Sequence, residues 1–593
     1  MARIERDTMG DVWPKVEPGC DVADYGSASL NPVTPCTVRS FQAFTVTYTV
    51  GRFGLDDTGA IRIALRWVHD GGGLQTDDPA APNYVTAAAS NGVQLKLFPE
   101  PYAYRPWLLA LRVTVTQGFM RAGDTITVVL GDRTGGSPGF RMQTICEEAF
   151  QFKVSVDACA TGQFQPLDDH LSVPVVAGQP CEWKLVAPTL RRPNELFDLG
   201  IKAEDYWGNP TAPDCGSLRL EADAPVDNLP EIVGFADGAR AHRIKGVSVE
   251  AEGTVSFRLT DETGKELAVS NPVVIQDGPV AGYWGDLHGQ SGETVGVNPI
   301  ESYLEFARDL AFLDVSGHQA NDFQITNAFW EKINTTAAAL DVDGSFVVFP
   351  GYEWSANTPV GGDHNVFFRH EGRQIRRSSH AMLPDRTDIE TDANTLPELF
   401  EALEDEDCIL FAHFGGRPAD IALAHSPKLR TAVEVHSNWG TFEWMLTESL
   451  ALGHRIGVVC NSDGHKGRPG ASPPGAANFG AYGGLTCFLA PALTRDAIFE
   501  CLRRRHHYGT TGNRMHLDVR AEFASPATLF HRDPHHFETE GETVQEVVMG
   551  DIVQTRDNEL TLSIDVTAAA AIARIDVMNN ADCMTTLRCY EEK

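Results

Sequence analysis

The 593-residue sequence predicts a multidomain protein, all-β in its first half and α/β in its second: two β-sandwich domains, then a β/α (TIM-like) barrel, then a short β-rich closing segment. Three observations lead there. The chain is far longer than one hydrophobic core organises, so three or four domains are expected. Its first half is filled with short alternating runs such as FQAFTVTYTV, IRIALRWV and DTITVVLG, broken by Gly, Asp and Pro clusters. From Gly282 to about Gly512, continuous apolar runs of strand length (FLDVS, SFVVFP, CILFAH, TAVEVH, RIGVVCN, GLTCFLA) alternate with amphipathic helical stretches, the pattern of a parallel sheet covered by helices.

Taken in order, residues 1–30 are polar and rich in Gly, Pro and Asp, and read as an arm. Residues 31–156 and 157–277 read as the two sandwiches, which concentrate no titratable chemistry and are expected to position the next domain, shape its entrance or support oligomerisation. Residues 278–515 form the barrel. Asn298-Pro299 precedes a helix with Ile300, Tyr303, Leu304 and Ala307 on one face, Thr395 with Glu398 forms a capping box, and Thr494 caps a helix carrying Ile498 and Leu502. Residues 516–593 return to β alternation in LTLSIDV and ARIDVMN.

Net charge is −33, which argues against nucleic acid and anionic membranes as partners and leaves a small molecule as the expected one, with self-association through the β domains. No apolar run near Met1 has the length of a signal segment, so a cytoplasmic location is expected. The twelve cysteines include no CxxC pair, and Cys408, Cys460 and Cys487 sit in apolar runs that suit buried thiols.

The barrel's chemistry is expected at its C-terminal strand ends. These read Asp286 and His288 in GYWGDLHGQ, then His318, Glu353 in GYEW, His413 in AHFGG, Glu434 and His436 in VEVH, and Asp463 and His465 in NSDGH; His364 opens another extended run. Imidazoles mixed with carboxylates and no thiolate suit zinc, manganese or iron at a catalytic site. His288, His318, Glu353, His413, Asp463 and His465 are the expected ligands. Asp286, His364, Glu434 and His436 stand between ligand, supporting group and structure.

The order Gly-Asp-Leu-His, His318, Glu353, His413, Asp463-Gly-His465 resembles the metal motifs of the PHP (polymerase and histidinol phosphatase) superfamily, in a PHP-like branch with β-sandwich domains ahead of the barrel. That resemblance implies a distorted barrel of about seven strands, two or three divalent metal ions and phosphoester hydrolysis. Two motifs depart from it. Gln290 stands where the family's first motif has a second His; Gln suits a harder ion as an oxygen donor better than it suits zinc. Ser316-Gly317-His318 replaces the usual Thr-Asp-His.

A metal-activated hydroxide would be the nucleophile. Glu353 is the expected bridging carboxylate, Asp463 and His465 complete the coordination and relay a proton, and Arg417, Lys466 or Arg468 neutralise substrate charge. Tyr352, Trp354, Trp439 and Trp444 are expected near the rim. The basic stretch Arg503–His507 suits either an anion or a helix C-terminus. The leading function is therefore a metal-dependent hydrolase of a small phosphoester. The alternatives are hydrolysis or elimination at an ester, amide or carbon–heteroatom bond, and a non-catalytic metal-containing binding scaffold.

Overall fold

The computed structural model describes residues 20–101, 105–168, 170–472 and 480–589. In the first β unit a four-stranded sheet (strands 26–31, 44–50, 125–130 and 85–89, in that order) packs face to face on a larger sheet built from strands 171–176, 147–157, 60–65, 109–117 and 94–100. Period-two alternation puts Phe44, Val46 and Tyr48 of one sheet against Ile61, Ile63, Val113 and Phe152 of the other in a common core. A second β unit, with a core around Leu199, Ile201, Leu220 and Phe257, extends to Ile275.

Two expected boundaries move. Residues 1–19 of the arm lie outside the described residues, and Gly26–Asn31 pairs antiparallel with Phe44–Val50, so the first sheet begins before residue 31. Leu171–Val176 pairs with Glu147–Phe152, so the first unit continues past residue 156. The segment at the expected boundary is a turn within the first unit: Asp157 carboxylate oxygens accept from the N–H groups of Thr161 (2.9 Å) and Gly162 (2.6 Å).

The central unit departs from the expected barrel. It holds two open, mixed sheets. One consists of β1 (Ala281–Asp286), β2 (Val315–Gly317) and β3 (Val347–Phe349), mutually parallel, extended antiparallel by β9 (Leu485–Ala490) and β10 (His507–Thr510). The other consists of β4 (Gly351–Ser355), β5 (Asp363–Phe368), β6 (Cys408–Ala412), β7 (Arg430–Ser437) and β8 (Gly457–Cys460), of which β4–β5 and β5–β6 are antiparallel and β6–β7 and β7–β8 parallel. No ladder joins the two sheets among the described residues. The physical reason lies in the connections. The short link from Ser355 to Asp363 has no room for a helical crossover, so the chain turns back on itself, where a parallel barrel needs a crossover every time.

The two sheets face each other across Leu287, Val315, Val347, Phe349, Phe367, Ile409, Phe411 and Val459. On the outer faces lie the alternate residues Val348, Val366 and Leu410, covered by α1 (Ile300–Glu305), α2 (Asn327–Leu340) and α3 (Leu396–Leu403). α4 (Trp444–Ala451) and α5 (Arg495–Arg504) complete the five α-helices among the described residues. The Thr395–Glu398 capping box is present, and Thr494 accepts from Ala497 N–H at the start of α5. Asn298 does not cap α1: it has φ of 60°, and its side-chain oxygen accepts from Glu148 N–H (2.8 Å) of the first unit. The basic stretch is also structural, with Arg503 against Asp407 (2.6 Å) and His506 against Asp551 (2.9 Å). All twelve cysteines are free thiols, Cys408, Cys460 and Cys487 among the buried ones.

The closing segment forms a sheet of strands 516–530, 542–548, 552–554 and 561–567 and a hairpin of 574–579 with 582–588.

His507 on β10 is buried, with Nδ1 2.9 Å from the Val458 carbonyl, and burial pushes its imidazole down to about 4. A base whose folded pKa is depressed contributes stability that is present above its unfolded pKa and lost as pH falls through the window from about 6.5 to 4. Urea unfolding of metal-free protein is expected to show stability falling across that window, with a His507 share on the order of 3 kcal/mol at its lower end. In a His507→Asn variant the fall should be shallower; an identical pH slope contradicts the assignment.

Candidate metal centre

At one end of the core between the two sheets, β1, β6 and β8 finish and β5, running the opposite way, begins. His288, His413 and Asp463 each offer one donor atom there, all within 4.8 Å of one another, and so do Glu353, Asp363 and His413. All five residues are buried. His413 is common to both groups.

His288 is held from behind. Its Nδ1 lies 3.1 and 3.2 Å from the two oxygens of Glu434, which in turn accepts from Asn461 Nδ2 at 2.7 Å. A carboxylate accepting the Nδ1 proton fixes the ring's orientation and turns Nε2 forward. That Nε2 faces Asp463 Oδ1 at 3.3 Å and Glu353 Oε2 at 3.7 Å. Glu353 is fixed by Ser355 Oγ, donating to Oε1 at 2.8 Å, and by Gln290 Nε2, donating to Oε2 at 3.2 Å. His413 lies edge-on to His288 with ring centroids 4.4 Å apart, and its Nε2 is 3.8 Å from Glu353 Oε1.

The backbone is shaped around these contacts. Asp463 has φ of 47°, a left-handed conformation rare for a residue with a side chain and found at sites where geometry matters more than local stability. Gly415 is there for space: a Cβ would lie 2.9 Å from Asp463 Oδ2 and 3.2 Å from His413 Cε1.

Electrostatically the pocket is under tension. Burial raises the Asp463 carboxyl to about 8, with Glu353, Glu434 and Asp286 adding to the effect against His288. Burial, reinforced by Glu353, holds Asp363 well above the carboxylate range. Burial also acts upward on Glu353, but His288, His413 and Arg417 outweigh it and keep that group ionised. Burial and the neighbouring His288 lower His413 to about 4. His288 Nε2 and both ring nitrogens of His413 are buried with no hydrogen-bond partner. Imidazole nitrogens without hydrogen-bond partners converging on buried carboxylates is the environment a divalent cation satisfies, so the residues fit such an ion.

Other expected site residues are placed elsewhere. Gln290 presents its N–H groups inward, and its amide oxygen accepts from Thr294 Oγ1 at 2.9 Å, so it positions Glu353 and does not offer an oxygen donor. His318 Nε2 accepts from Ser291 N–H (3.1 Å) and faces Ser291 Oγ (2.8 Å), outside both donor groups. Asp286 accepts from the N–H groups of Ser462 (2.9 Å) and Gly470 (2.8 Å), which makes it a loop anchor. His364 turns outward to Arg430, Trp354 and Phe400. His436 spends its nitrogens on Thr441 Oγ1 (2.7 Å) and the Tyr482 carbonyl (3.0 Å). A bulge between Glu434 and His436 breaks the alternation that would otherwise aim them the same way.

His465 also lies outside the two donor groups; its ring meets Trp67 of the first β unit edge-on at 5.1 Å, and Trp67 stacks on Trp439 at 6.3 Å. Tyr352 and Trp354 are core residues rather than rim, and Trp444 starts α4 with 40% of its surface exposed. Arg468 donates to the carbonyls of Trp207 and Gly208 and to Asn209 Oδ1 (3.2 Å), and so ties its loop to the second β unit. Arg417 reaches the site: its Nε donates to Asp363 Oδ1 at 2.9 Å. Lys466 is buried, and burial lowers its ammonium to about 8 against the pull of Asp70.

Sequence reasoning missed Asp363, Arg105 and Trp67. In GGDHNVFF the histidine draws attention as the commoner ligand, yet the register of β5 sends Asp363, with Phe367, inward and His364, with Val366, outward. Arg105 and Trp67 come from the first β unit and carry no local signal. A cleft of about 1250 Å³ opens between the three units beside Arg66, Glu147, Asn209, Asn298 and Arg468, and shares no lining residue with the donor cluster.

The family described as "Protein of unknown function (DUF3604)" matches residues 457–578, a span that carries Asp463 and His465. Uncharacterised proteins of Chlamydia pneumoniae and Chlamydia trachomatis are similar to this chain at 22% and 23% identity over 437 residues, covering 67% of this chain and 67% of each relative. Among solved structures, the Yersinia pseudotuberculosis adhesin InvE shares 10% identity over 44% of this chain and 61% of its own, with a TM-score of 0.15. The D00-D0 domain of intimin shares 11% over 42% of this chain and 100% of its own, with a TM-score of 0.18. Overlays of that quality carry no argument about fold or function.

Arg468 offers a test of how the units are joined. An Arg468→Met variant leaves the part-buried Trp207 and Gly208 carbonyls without this donor, at a cost of roughly 1–3 kcal/mol. Thermal unfolding should shift down accordingly; an unshifted transition contradicts a structural role.

Proposed function

We propose that the protein is a divalent-metal-dependent hydrolase of a small phosphoester. The observation that carries this reading is the convergence of His288, His413, Asp463, Glu353 and Asp363 in one buried pocket, with three imidazole nitrogens there lacking a hydrogen-bond partner. The order of these donors along the chain resembles the PHP motifs; the sheet topology takes no part in that likeness.

A divalent cation, when bound, supplies Lewis-acid activation of water and charge stabilisation for an oxyanion. His288, His413 and Asp463 would hold one ion, and Glu353 and Asp363, with His413 common to both groups, would hold a second. The surrounding carboxylates raise His288 well above the usual imidazole range, so its Nε2 would give up a proton on taking an ion while Glu434 holds the ring through Nδ1; Ser355 and Gln290 lock the Glu353 carboxylate so that neither oxygen swings away. Asp463, raised by burial among acidic neighbours, would give up its proton on taking an ion, so ion binding at this group is coupled to proton release. Arg417 stands beside Asp363 with both terminal nitrogens beyond that contact to meet substrate charge.

A second reading, cleavage of a non-phosphorus bond, is favoured by one observation. Gln290 commits its amide oxygen to Thr294 and His318 commits its Nε2 to Ser291, and both lie outside the two donor groups, which leaves donors for fewer ions than the PHP-like motifs provide.

Metal analysis after stripping and reloading with manganese is expected to find one or two ions per chain, and a screen of phosphomonoesters and phosphodiesters to find turnover. His413→Ala and Asp463→Asn should lower that turnover by roughly a hundredfold or more. Glu434→Gln should weaken ion binding by about 10–100-fold with the fold intact. Metal bound without hydrolysis of any phosphoester, but with hydrolysis of carboxylic esters or amides, selects the second reading; no bound metal overturns both.

A further inference from the structure

The first β unit sends one arginine across to the donor cluster. Arg105 donates through Nε to Gln324 Oε1 (2.8 Å) and through Nη2 to Asn321 Oδ1 (2.5 Å), and Asn321 is the residue that also receives Gln290, the partner of Glu353. These contacts leave N–H groups on both terminal nitrogens of the guanidinium. Arg417 arrives from the central unit, after β6, with its Nε on Asp363.

Both guanidiniums meet the ring of Phe323. The Arg105 guanidinium carbon is 5.4 Å from its ring centroid and that of Arg417 is 5.5 Å away. Two guanidiniums sharing one aromatic ring repel each other, and the arrangement stands in a chain whose net charge is −33. The acidic groups acting most strongly on Arg105 are Glu353, Asp363 and Asp463, so the pair borders the donor cluster and is separate from the inter-unit cleft. Asp363 engages only the Nε of Arg417, whose side chain keeps 28% of its surface exposed.

We propose that Arg105 and Arg417 form a two-sided clamp for the oxyanion group of the substrate, so that the first β unit determines specificity for an anionic small molecule. The proposal rests on the hydrolase reading for the identity of the site, but the clamp itself needs only the two guanidiniums. Planar forks on either side of an oxyanion give paired, directional hydrogen bonds that a single ammonium does not reproduce. The aromatic ring holds both forks by cation–π contact and excludes water on that side.

The test is calorimetric titration of inorganic phosphate into the full chain, both manganese-loaded and metal-free, with metal content measured in parallel. Wild type is expected to bind phosphate in both forms and more tightly in the loaded one. Arg105→Met should weaken phosphate binding at least tenfold in both forms with metal content unchanged, and Arg105→Lys should recover only part of the loss. Arg417→Met should weaken it to a similar degree. Phosphate binding by Arg105→Met equal to wild type overturns the clamp, as does a wild type that binds no phosphate in either form. If wild type retains no metal, the hydrolase reading falls, and the clamp is judged on the metal-free titration alone. Should Arg105→Met fail to fold by circular dichroism, the Arg105→Lys comparison decides: undiminished affinity overturns the proposal.

Discussion

The structure depends on keeping a set of carboxylates away from water. Asp286, Glu353, Asp363, Glu434 and Asp463 are all buried at one end of the central core. An isolated buried carboxylate is costly enough that it normally protonates or acquires partners. Each of the five is handled differently. Asp286 is neutralised by backbone N–H groups, Glu434 by His288 and Asn461, and Asp363 by Arg417. Glu353 accepts from Ser355 and Gln290 and, with Asp463, faces histidine nitrogens. That concentration of buried charge, rather than any motif, is the constraint around which the pocket is built.

The β units are joined to this centre by arginines donating to backbone carbonyls. Arg66 of the first unit reaches Gly292 (2.8 Å) and Thr294 (2.9 Å), in the loop that follows His288. Arg191 of the second reaches Gly282 on β1 at 2.7 Å, and Arg468 reaches back from the loop after Asp463. A guanidinium with five N–H groups can satisfy several loop carbonyls at once, which short connections between units leave exposed. The loops carrying His288 and Asp463 are therefore held from outside the central unit, and the β units contribute to the geometry of the pocket as well as to its walls.

Much of the donor set was legible because strand ends carrying His, Glu and Asp are visible in sequence; His288, Glu353, His413 and Asp463 meet as their positions suggested they would. What was not legible follows from physics the residues do not advertise. The bulge in β7 separates Glu434 from His436, and the pairing of β5 decides between Asp363 and His364. His318 and Gln290 are chemically competent donors, but Ser291 and Thr294 compete for them at hydrogen-bond distance. The first two β-rich regions were readable from alternation, while their boundary was not, because nothing local shows that Leu171–Val176 returns after the Asp157 turn to pair with Glu147–Phe152. Arg105 and Trp67 reach the site from sequence positions hundreds of residues away, where nothing in the local pattern marks them.

The departure from a parallel barrel and the make-up of the pocket are one fact seen twice. In a sheet of parallel strands the site receives side chains from strand C-termini only. Here β5 runs against β4 and β6, so its first residue, Asp363, lies beside the last residues of its neighbours: it pairs with Ser355, and His413, just past β6, donates its N–H to the Asp363 carbonyl at 3.2 Å. Reversing β5 would remove the acid that completes the second donor group and the anchor of Arg417 together. The short Ser355–Asp363 link, which prevents a helical crossover, is thus also what gives the pocket its second carboxylate and one side of its cationic rim.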